Sequence, residues 1–285
     1  MRHRPISLLL GLAIALAASL SAAQDIPEDC LNRAPSIGLP TYRVSPPPHV
    51  ILCRSGYVLA HNETRKIPDW VMETLTIDNL TVRTNRRRLG NPFKPDPNLR
   101  RSGRPHAKLS DYRNSGCDRG HMVPAADMAW GATAMRESFY LSNIAPQEGP
   151  DFNRGIWADL ERDVRDWLRA RGRLVVITGP IFDGGERDET TQKDIPDNRH
   201  CQKERIGDAI DVPNRFFKIV YDPERQRVIA FVLPNRRLKR EQVKSYRESV
   251  DRIEALTGLS FLTGLPPRTQ RILKTRKASM WRQSE

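Results

Sequence analysis

The sequence lacks most of the short motifs that identify common classes of enzyme. It contains no Gly-rich phosphate loop, no dinucleotide-binding fingerprint and no Gly-x-Ser-x-Gly nucleophile elbow. These absences argue against P-loop and dinucleotide-binding enzymes and against α/β-hydrolases. Internal repeats and low-complexity linkers are also absent. The chain is therefore expected to build one large core.

Cysteine is scarce, with four residues in 285, and no two of them form a Cys-x-x-Cys pair. Because the four cysteines are scattered, a zinc site is disfavoured. An even number of cysteines in an exported protein favours two disulfide bonds, for which three connectivities exist. We predict the pairs Cys30–Cys53 and Cys117–Cys201.

The apolar run near the N-terminus is too short to span a bilayer comfortably. It covers residues 6–20, follows a basic start and precedes the small residues at positions 21–23. This pattern is typical of a secretory signal peptide, which we place at residues 1–23. The sequence thus predicts an exported protein, either periplasmic or secreted, with no membrane partner.

Acidic residues are outnumbered, since 47 Lys and Arg stand against 34 Asp and Glu and give a formal net charge of +13. Such an excess favours a polyanionic partner such as nucleic acid, an anionic membrane or acidic glycans. The charge is concentrated in three runs, at 83–94, 99–108 and 268–277. For the last run we expect a solvated loop within a basic C-terminal tail, residues 266–285.

Strand-like and helix-like patterns are mixed along the chain. After a proline-rich segment at 24–49, stretches rich in β-branched residues predict strands, and "NRFFKIVYD" with "RVIAFVLPN" predicts a hairpin. Helical periodicity predicts helices at 153–172 and 240–257. Because no regular βαβ alternation is present, we predict an α+β fold with a mixed or antiparallel sheet.

The densest group of titratable residues is "CDRGHMVPAADM". Hydrolysis of a phosphodiester needs a base that deprotonates water and cations that offset charge on the phosphate oxygens. His121 suits the base because its ordinary pKa lies near neutrality, Arg119 suits the cation, and Asp118 suits an orienting role. Other histidines have no comparable neighbours and are expected to be solvated: His61, His106 and His200.

Two asparagines follow downstream, Asn143 at a predicted strand end and Asn153 at a predicted helix start. An amide oxygen is a hard, neutral ligand that suits a Mg²⁺ ion retaining most of its waters. Helix capping by Asn153 or by Asp151 remains open, as does a turn role for Asn143. In a straight helix Glu161 would lie ~12 Å along the axis from Asn153, which excludes both as direct ligands of one ion.

The patterns "DRGH", "YLSN-I-PQ" and "FN-G-W--LE", in this order, resemble the sugar-non-specific DNA/RNA endonucleases, which are endonuclease G-like nucleases with a ββα-metal core. The resemblance extends to "LVVITGPIF", "VPNRFFKIVYD" and "IEALTGLSFL". It therefore covers an expected nuclease domain at residues 50–265, and it implies the same ββα-metal core here.

The resemblance implies a metal-dependent endonuclease that cleaves DNA and RNA and leaves 5′-phosphate and 3′-hydroxyl ends. His121 would be the general base, Arg119 would lie beside the scissile phosphate, and Asn143 would support the site by hydrogen bonding. Asn153 would be the direct ligand of a water-rich Mg²⁺, with Mn²⁺ as a candidate substitute. Glu161 would hold the metal through a water molecule.

The family also has an arginine upstream, before an aromatic residue and an Asp-Pro pair. Here Phe93 and Asp96-Pro97 supply that context. Arg88 is our first choice for a catalytic role, and we expect substrate binding from Arg86, Arg87 and Asp118. A basic loop that grips phosphates without catalysis is equally open for these arginines.

Two other functions remain open. A non-catalytic nucleic-acid-binding protein, serving DNA uptake or a surface matrix, would use the same basic surface but would not need His121, Asn153 and Glu161 together. A phosphodiesterase acting on nucleotides or phospholipids would not digest long polymers internally. Besides DNA and RNA, a homodimer and a proteinaceous inhibitor in the producing cell are candidate partners.

Overall fold

The computed structural model describes most of the chain between residues 26 and 282, namely 26, 28–31, 37–81, 84, 91–182, 201, 204–207 and 210–282. The predicted signal peptide lies outside these ranges. Three predicted site residues and one histidine that was predicted to be solvated also lie outside them: Arg86, Arg87, Arg88 and His200. Among the described residues, no helix has the length and apolar character needed to cross a membrane.

Short and long strands alternate irregularly with helices along the described chain. The strands are β1 (Thr41–Tyr42), β2 (His49–Cys53), β3 (Tyr57–Asn62), β4 (Ile67–Thr76), β5 (Asp118–His121), β6 (Ile144–Gln147), β7 (Arg173–Ile181), β8 (Arg205–Ile206), β9 (Ile210–Asp211), β10 (Arg215–Asp222), β11 (Arg227–Pro234), β12 (Arg247–Glu248) and β13 (Leu259–Ser260). The α-helices are α1 (Glu28–Leu31), α2 (Asp78–Thr81), α3 (Pro97–Arg101), α4 (Ala132–Ser138), α5 (Trp157–Arg171), α6 (Val250–Thr257) and α7 (Pro267–Thr275).

One seven-stranded sheet forms the centre of the fold, in the order β12-β11-β10-β7-β4-β3-β2. Every neighbouring pair in it is antiparallel. In the described part of the chain, three two-stranded pairs lie outside it, namely β1–β13, β5–β6 and β8–β9. The prediction of an α+β fold with an antiparallel sheet is confirmed, and so is the hairpin β10–β11.

Each face of the large sheet is covered by its own apolar core. Successive residues of a strand point to opposite faces, so Phe216 lies in the core beneath α5 while its neighbour Phe217 lies in the core beneath α6 and α7. The α5 face contains Trp157 and Trp167, and both are almost completely buried. Burial of one such aromatic side chain contributes on the order of 2–3 kcal/mol, so the two layers hold the sheet from both sides.

The predicted helix at 153–172 is only partly correct. Regular α5 begins at Trp157, and the preceding Gly149–Ile156 is a π-helical segment interrupted at Gly155, where φ is −109° and ψ is −115°. The cap of this segment is neither Asn153 nor Asp151, because the carboxylate of Glu148 accepts the backbone N–H groups of Asp151 and Phe152. As predicted, α5 ends at Gly172, whose φ of +83° favours glycine.

The predicted helix at 240–257 is wrong over its first half. Residues Arg240–Tyr246 form a 3-10 helix, and Arg247 then pairs with Phe231 at the edge of the large sheet. The α-helix α6 starts only after Ser249, whose hydroxyl accepts the N–H of Arg252 and so caps it. Strand pairing with β11 therefore determines the conformation at Arg247, even though the sequence around it has helical periodicity.

The solvated loop predicted at 268–277 is also wrong, because α7 occupies most of this run. Leu273 of α7 is buried in the core shared with α6. Lys274 pairs with Glu254 at 2.8 Å. Beyond the helix, Trp281 packs edge-to-face on Trp167. The C-terminal residues therefore belong to the packed fold, although several of their arginines remain exposed.

Both predicted disulfide bonds are confirmed. Cys30–Cys53 joins α1 to β2, with 5.5 Å between the two Cα atoms. Cys117–Cys201 joins the residue before β5 to the segment before β8, with 4.3 Å between the Cα atoms. The second bond spans 84 residues and ends directly beside the "DRGH" strand.

His61 is not solvated, contrary to the prediction. It lies in β3, is fully buried, and its Nε2 is 2.9 Å from the carbonyl oxygen of Pro105. Since a carbonyl can only accept, Nε2 carries the proton in this contact. Burial lowers the pKa of His61 to about 4, although the Pro105 carbonyl opposes the shift.

This buried histidine predicts an acid-sensitive stability. The unfolded chain binds a proton at His61 near pH 6.5, and the folded chain only near pH 4, so stability is lost as pH falls between these values, by about 3 kcal/mol. Urea unfolding at pH 7.5, 6, 5 and 4.5 measures this slope. His61→Gln should flatten it and His106→Gln should not; equal slopes in wild type and His61→Gln would contradict the assignment.

Candidate active site

A cleft of about 820 Å³ opens beside β5. Its walls come from β5, from the π-helical segment before α5, and from the irregular chain ahead of β5. Four of the predicted site residues line it, and Phe93 and Arg154 lie beside them: Asp118, Arg119, His121 and Asn153. Residues far apart in sequence are therefore brought to one solvent-accessible site.

The "DRGH" motif forms β5, and β5 pairs antiparallel with β6. His121 lies opposite Ile144 at one end of the pair, and Asp118 lies opposite Gln147 at the other. A Cβ atom on Gly120 would lie 2.0 Å from Oε1 of Gln147 and 2.5 Å from its Cγ. Gly120 therefore makes room for the buried Gln147 side chain and allows the two strands to pack closely.

The ring of His121 is held between aromatic side chains. Phe139 meets it edge-to-face with 4.8 Å between ring centroids, and Phe93 lies 5.4 Å away at a tilt of 51°. Phe93 also contacts the guanidinium of Arg119, whose Cζ lies 4.2 Å from the ring centroid. One phenyl ring thus contacts both the candidate base and the candidate cation, which fixes their relative position.

Asn143 lies behind the cleft rather than in its wall, and it is fully buried. Its Oδ1 accepts the N–H of Val123 at 3.0 Å, and its Nδ2 donates to the carbonyls of Val123 at 3.0 Å and Ser138 at 2.8 Å. The N–H of Met122 donates to its carbonyl at 2.9 Å. These bonds fix the backbone that directly follows His121.

Asp118 links β5 to the segment that carries Asn153. Its Oδ2 accepts a hydrogen bond from Asn153 Nδ2 at 2.9 Å and faces Arg154 Nε at 3.0 Å. Because the amide nitrogen of Asn153 is committed to Asp118, the amide oxygen is the atom left for a cation. Asp118 therefore orients Asn153, in line with the orienting role expected from the sequence, and the substrate-binding role also expected for it stays a prediction.

The turn before Asn153 is tightly packed. The N–H of Asn153 donates to the carbonyl of Glu148 at 2.9 Å. A Cβ atom on Gly149 would lie 2.7 Å from Arg154 Nη2 and 3.1 Å from Asp118 Cγ. Glycine at this position leaves room for the Asp118–Arg154 ion pair beside Asn153.

Glu161 is not among the residues that line the cleft. It belongs to a charged cluster between α5 and the sheet, with Lys218, Asp127 and Arg165 as neighbours. Burial raises the pKa of Glu161 to about 7, although Lys218 opposes the shift. Lys218 itself is buried, donates to Thr178 Oγ1 at 2.7 Å, and carries a pKa lowered by burial.

A family model described as DNA/RNA non-specific endonuclease matches residues 40–268. The chain belongs to this family. The resemblance to this family and the predicted endonuclease activity are confirmed, and members of this family of endonucleases are metal-dependent.

Named relatives of this endonuclease share most of its length. The "Mitochondrial nuclease" of Saccharomyces cerevisiae is 34% identical over 261 residues, covering 87% of this chain and 76% of the relative. "Nuclease 1, mitochondrial" of Schizosaccharomyces pombe is 35% identical over 220 residues, covering 74% of this chain and 65% of the relative. The crystal structure of the EndoG/EndoGI complex aligns with a TM-score of 0.65 and 28% identity, covering 82% of this chain and 92% of the matched one.

The prediction of an exported, periplasmic or secreted endonuclease is wrong, because these two yeast relatives and a Xenopus laevis relative are all named as mitochondrial nucleases. The physical reason for the error lies in the N-terminal pattern. A start that contains arginine and has no acidic residue before Asp25 is common to secretory and mitochondrial targeting segments.

Several residues of the endonuclease site are not predicted from the sequence. Phe139 and Arg154 carry no local signal of their own, since only the fold brings them to His121 and Asp118. Glu148 does have a signal, because it precedes Gly-Pro and proline is favoured in the first turn of a helix. Phe93 served only as a marker for the upstream arginine, yet it contacts both His121 and Arg119.

Proposed function

We propose that this protein hydrolyses phosphodiester bonds within DNA and RNA, with His121 as general base and a divalent cation, Mg²⁺, bound by Asn153. The observation that carries the proposal is the cleft in which His121, Arg119 and an oriented Asn153 lie together. The names of the relatives support a nuclease, and they support a mitochondrial location.

The donor set of the cleft fits a divalent cation that keeps most of its waters. Asp118 accepts a hydrogen bond from the side-chain amide nitrogen of Asn153. The side-chain oxygen of Asn153 therefore remains for a cation, and such a neutral, hard oxygen is a ligand for both Mg²⁺ and Mn²⁺. When bound, the ion supplies positive charge near the phosphate and its leaving oxygen. The position of Asn153 in the cleft wall supports direct contact with the ion, whereas contact of Glu161 with the ion through a water molecule stays a prediction.

His121 takes the proton from the attacking water, and the rings of Phe93 and Phe139 hold the imidazole in place. Arg119 binds a phosphate oxygen, and its contact with Phe93 keeps the guanidinium beside the cleft. Attack forms a bond between phosphorus and the water oxygen and breaks the bond to the 3′ oxygen, which leaves as an oxyanion and takes a proton from solvent, so the products carry 5′-phosphate and 3′-hydroxyl ends. Because His121, Arg119 and the metal ion all act at the phosphate and do not contact the bases, we expect little preference for nucleotide sequence.

Several finer roles stay predictions. Arg88 is proposed to stabilise the transition state, and Arg86 and Arg87 are proposed to bind phosphates of the substrate. A homodimer is a further prediction. A proteinaceous inhibitor is supported by the EndoG structure, which concerns EndoG inhibition in a complex with EndoGI.

The test is digestion of supercoiled plasmid and of total RNA, each with Mg²⁺, with Mn²⁺ and with chelator. We expect metal-dependent conversion of both polymers to fragments. Their 5′ ends should accept label from polynucleotide kinase only after phosphatase treatment. Intact polymers that are merely retarded on the gel would support the non-catalytic nucleic-acid-binding alternative, and release of single nucleotides without internal cuts would exclude an endonuclease.

A further inference from the structure

Asn235 follows β11 directly, and its side-chain amide is hydrogen-bonded through both N–H groups and the oxygen. Nδ2 donates to the carbonyls of Pro146 at 3.1 Å and Pro213 at 3.0 Å. Oδ1 accepts the N–H of Glu148 at 2.9 Å. Pro146 and Glu148 flank the last residue of β6, so the amide bonds to the chain there as the backbone of a neighbouring strand would.

Glu148 connects this anchor to the segment that carries Asn153. Its carbonyl accepts the N–H of Asn153 at 2.9 Å. Its carboxylate accepts the N–H groups of Asp151 at 3.2 Å and Phe152 at 2.8 Å. Asn235 is therefore joined to Asn153 by two successive hydrogen bonds with a single residue between them.

We infer that Asn235 is a positioning residue for the metal-binding turn, which we define as Glu148–Asn153. The inference rests on the proposed function, because it takes Asn153 as the ligand. Asp118 fixes the side chain of Asn153 from β5, and Asn235 fixes the backbone of the same turn from the end of β11. Groups that orient a metal ligand commonly change metal affinity 10- to 100-fold when they are removed.

The chemistry of the position explains why an amide is required. The three contacts need two donors and one acceptor on one small planar group, which asparagine provides. Asn235→Asp keeps the size and the acceptor for Glu148 but sets a carboxylate oxygen against the carbonyls of Pro146 and Pro213. Asn235→Ala removes all three bonds. Asn235→Asp therefore keeps the hydrogen bond to Glu148 and loses the two donated bonds, whereas Asn235→Ala loses all three.

Asn62 offers a matched control in a turn of the large sheet. It is fully buried like a core residue, its Oδ1 accepts the N–H groups of Thr64 and Arg65 at 2.9 Å, and its Nδ2 donates to Asp69 at 2.9 Å. Asn62→Ala thus removes the same kinds of hydrogen bond from the hairpin β3–β4. It should cost stability without changing metal affinity.

The experiment is a titration of the full chain with Mn²⁺, followed by the loss of the free-ion electron paramagnetic resonance signal, which reports binding without turnover. We expect the folded Asn235→Ala or Asn235→Asp protein, checked by near-ultraviolet circular dichroism, to bind Mn²⁺ about 10- to 100-fold more weakly than wild type. The metal concentration for half-maximal cleavage should rise by the same factor, while the KM for DNA at saturating metal changes little.

The outcomes separate this inference from the proposed function. If Asn153→Ala abolishes Mn²⁺ binding but either folded Asn235 variant binds as wild type does, the inference is overturned and the proposed function stands. If Asn153→Ala binds Mn²⁺ with wild-type affinity, the proposed ligand is wrong and the inference falls with it. Weakening by Asn62→Ala to the extent seen for Asn235→Ala would also overturn it, because general loosening would then explain the effect.

Discussion

Replacing His121 by alanine should lower the rate of plasmid cleavage by roughly 10²- to 10⁴-fold while the protein stays folded, because removal of a general base has this magnitude. The imidazole lies in the wall of the cleft and is packed by Phe93 and Phe139. Alanine removes the group that accepts the proton of water, but it leaves Asn153 and its contact with Asp118 in place. Catalysis should therefore fall without loss of metal binding.

The measurement is the initial rate of nicking of supercoiled plasmid at saturating Mg²⁺, with Mn²⁺ affinity determined on the same preparations. His106→Ala is the matched control, since this histidine lies in the basic chain ahead of β5 and its Nδ1 is 2.7 Å from the backbone carbonyl oxygen of Arg104. Its rate should stay within about twofold of wild type, far from the general-base effect. A His121→Ala protein that cleaves nearly as fast as wild type would remove His121 from the mechanism.

Replacing Arg171 by methionine should lower the free energy of unfolding by about 3 kcal/mol, the low end of the usual cost of breaking a buried ion pair, because Asp222 Oδ2 keeps Arg225 Nη1 at 3.3 Å. Arg171 Nη1 lies 2.7 Å from Asp222 Oδ2, and both side chains have no exposed surface. The guanidinium also lies 4.0 Å from the ring centroid of Trp281. The substitution therefore weakens the junction of α5, the β10–β11 turn and the C-terminal chain.

Urea unfolding measures this loss, and Arg169→Met on the same helix is its control. Arg169 pairs with Asp166, but the two side chains are 53% and 36% exposed. Pairs of this kind contribute at most about 1 kcal/mol because water screens them. Equal losses in the two variants would show that burial of the Arg171–Asp222 pair is not what stabilises the fold.

Residue chemistry made much of the site predictable from sequence. The types and order of His121, Asn143 and Asn153 indicated a phosphodiester site, and the structure brings His121 and Asn153 into one cleft with Asn143 directly behind it. The antiparallel α+β fold also followed from pattern, and the even cysteine count indicated two disulfides without fixing which cysteines pair. In each case the signal is carried by the residues themselves or by a strong local periodicity.

Features that depend on distant partners were not predictable in this way. Val243 and Tyr246 have helical spacing with α6, yet Arg247 joins the sheet because β11 offers it an open edge. His61 gives no local sign that a strand buries it against Pro105. The π-helical segment before α5 depends on the Glu148 carboxylate and on the break at Gly155, which apolar periodicity does not register.

The register of the large sheet has a consequence for how this fold tolerates change. Thr76 at the end of β4 is paired with Arg173 at the start of β7. Residues 77–172 therefore form a single long connection between two neighbouring strands, and its two ends are held about 5 Å apart. Every predicted site residue lies within it. Since each doubling of such a connection costs only about 0.6 kcal/mol in closure entropy, loops around the substrate can lengthen or shorten during evolution while the sheet beneath them stays unchanged.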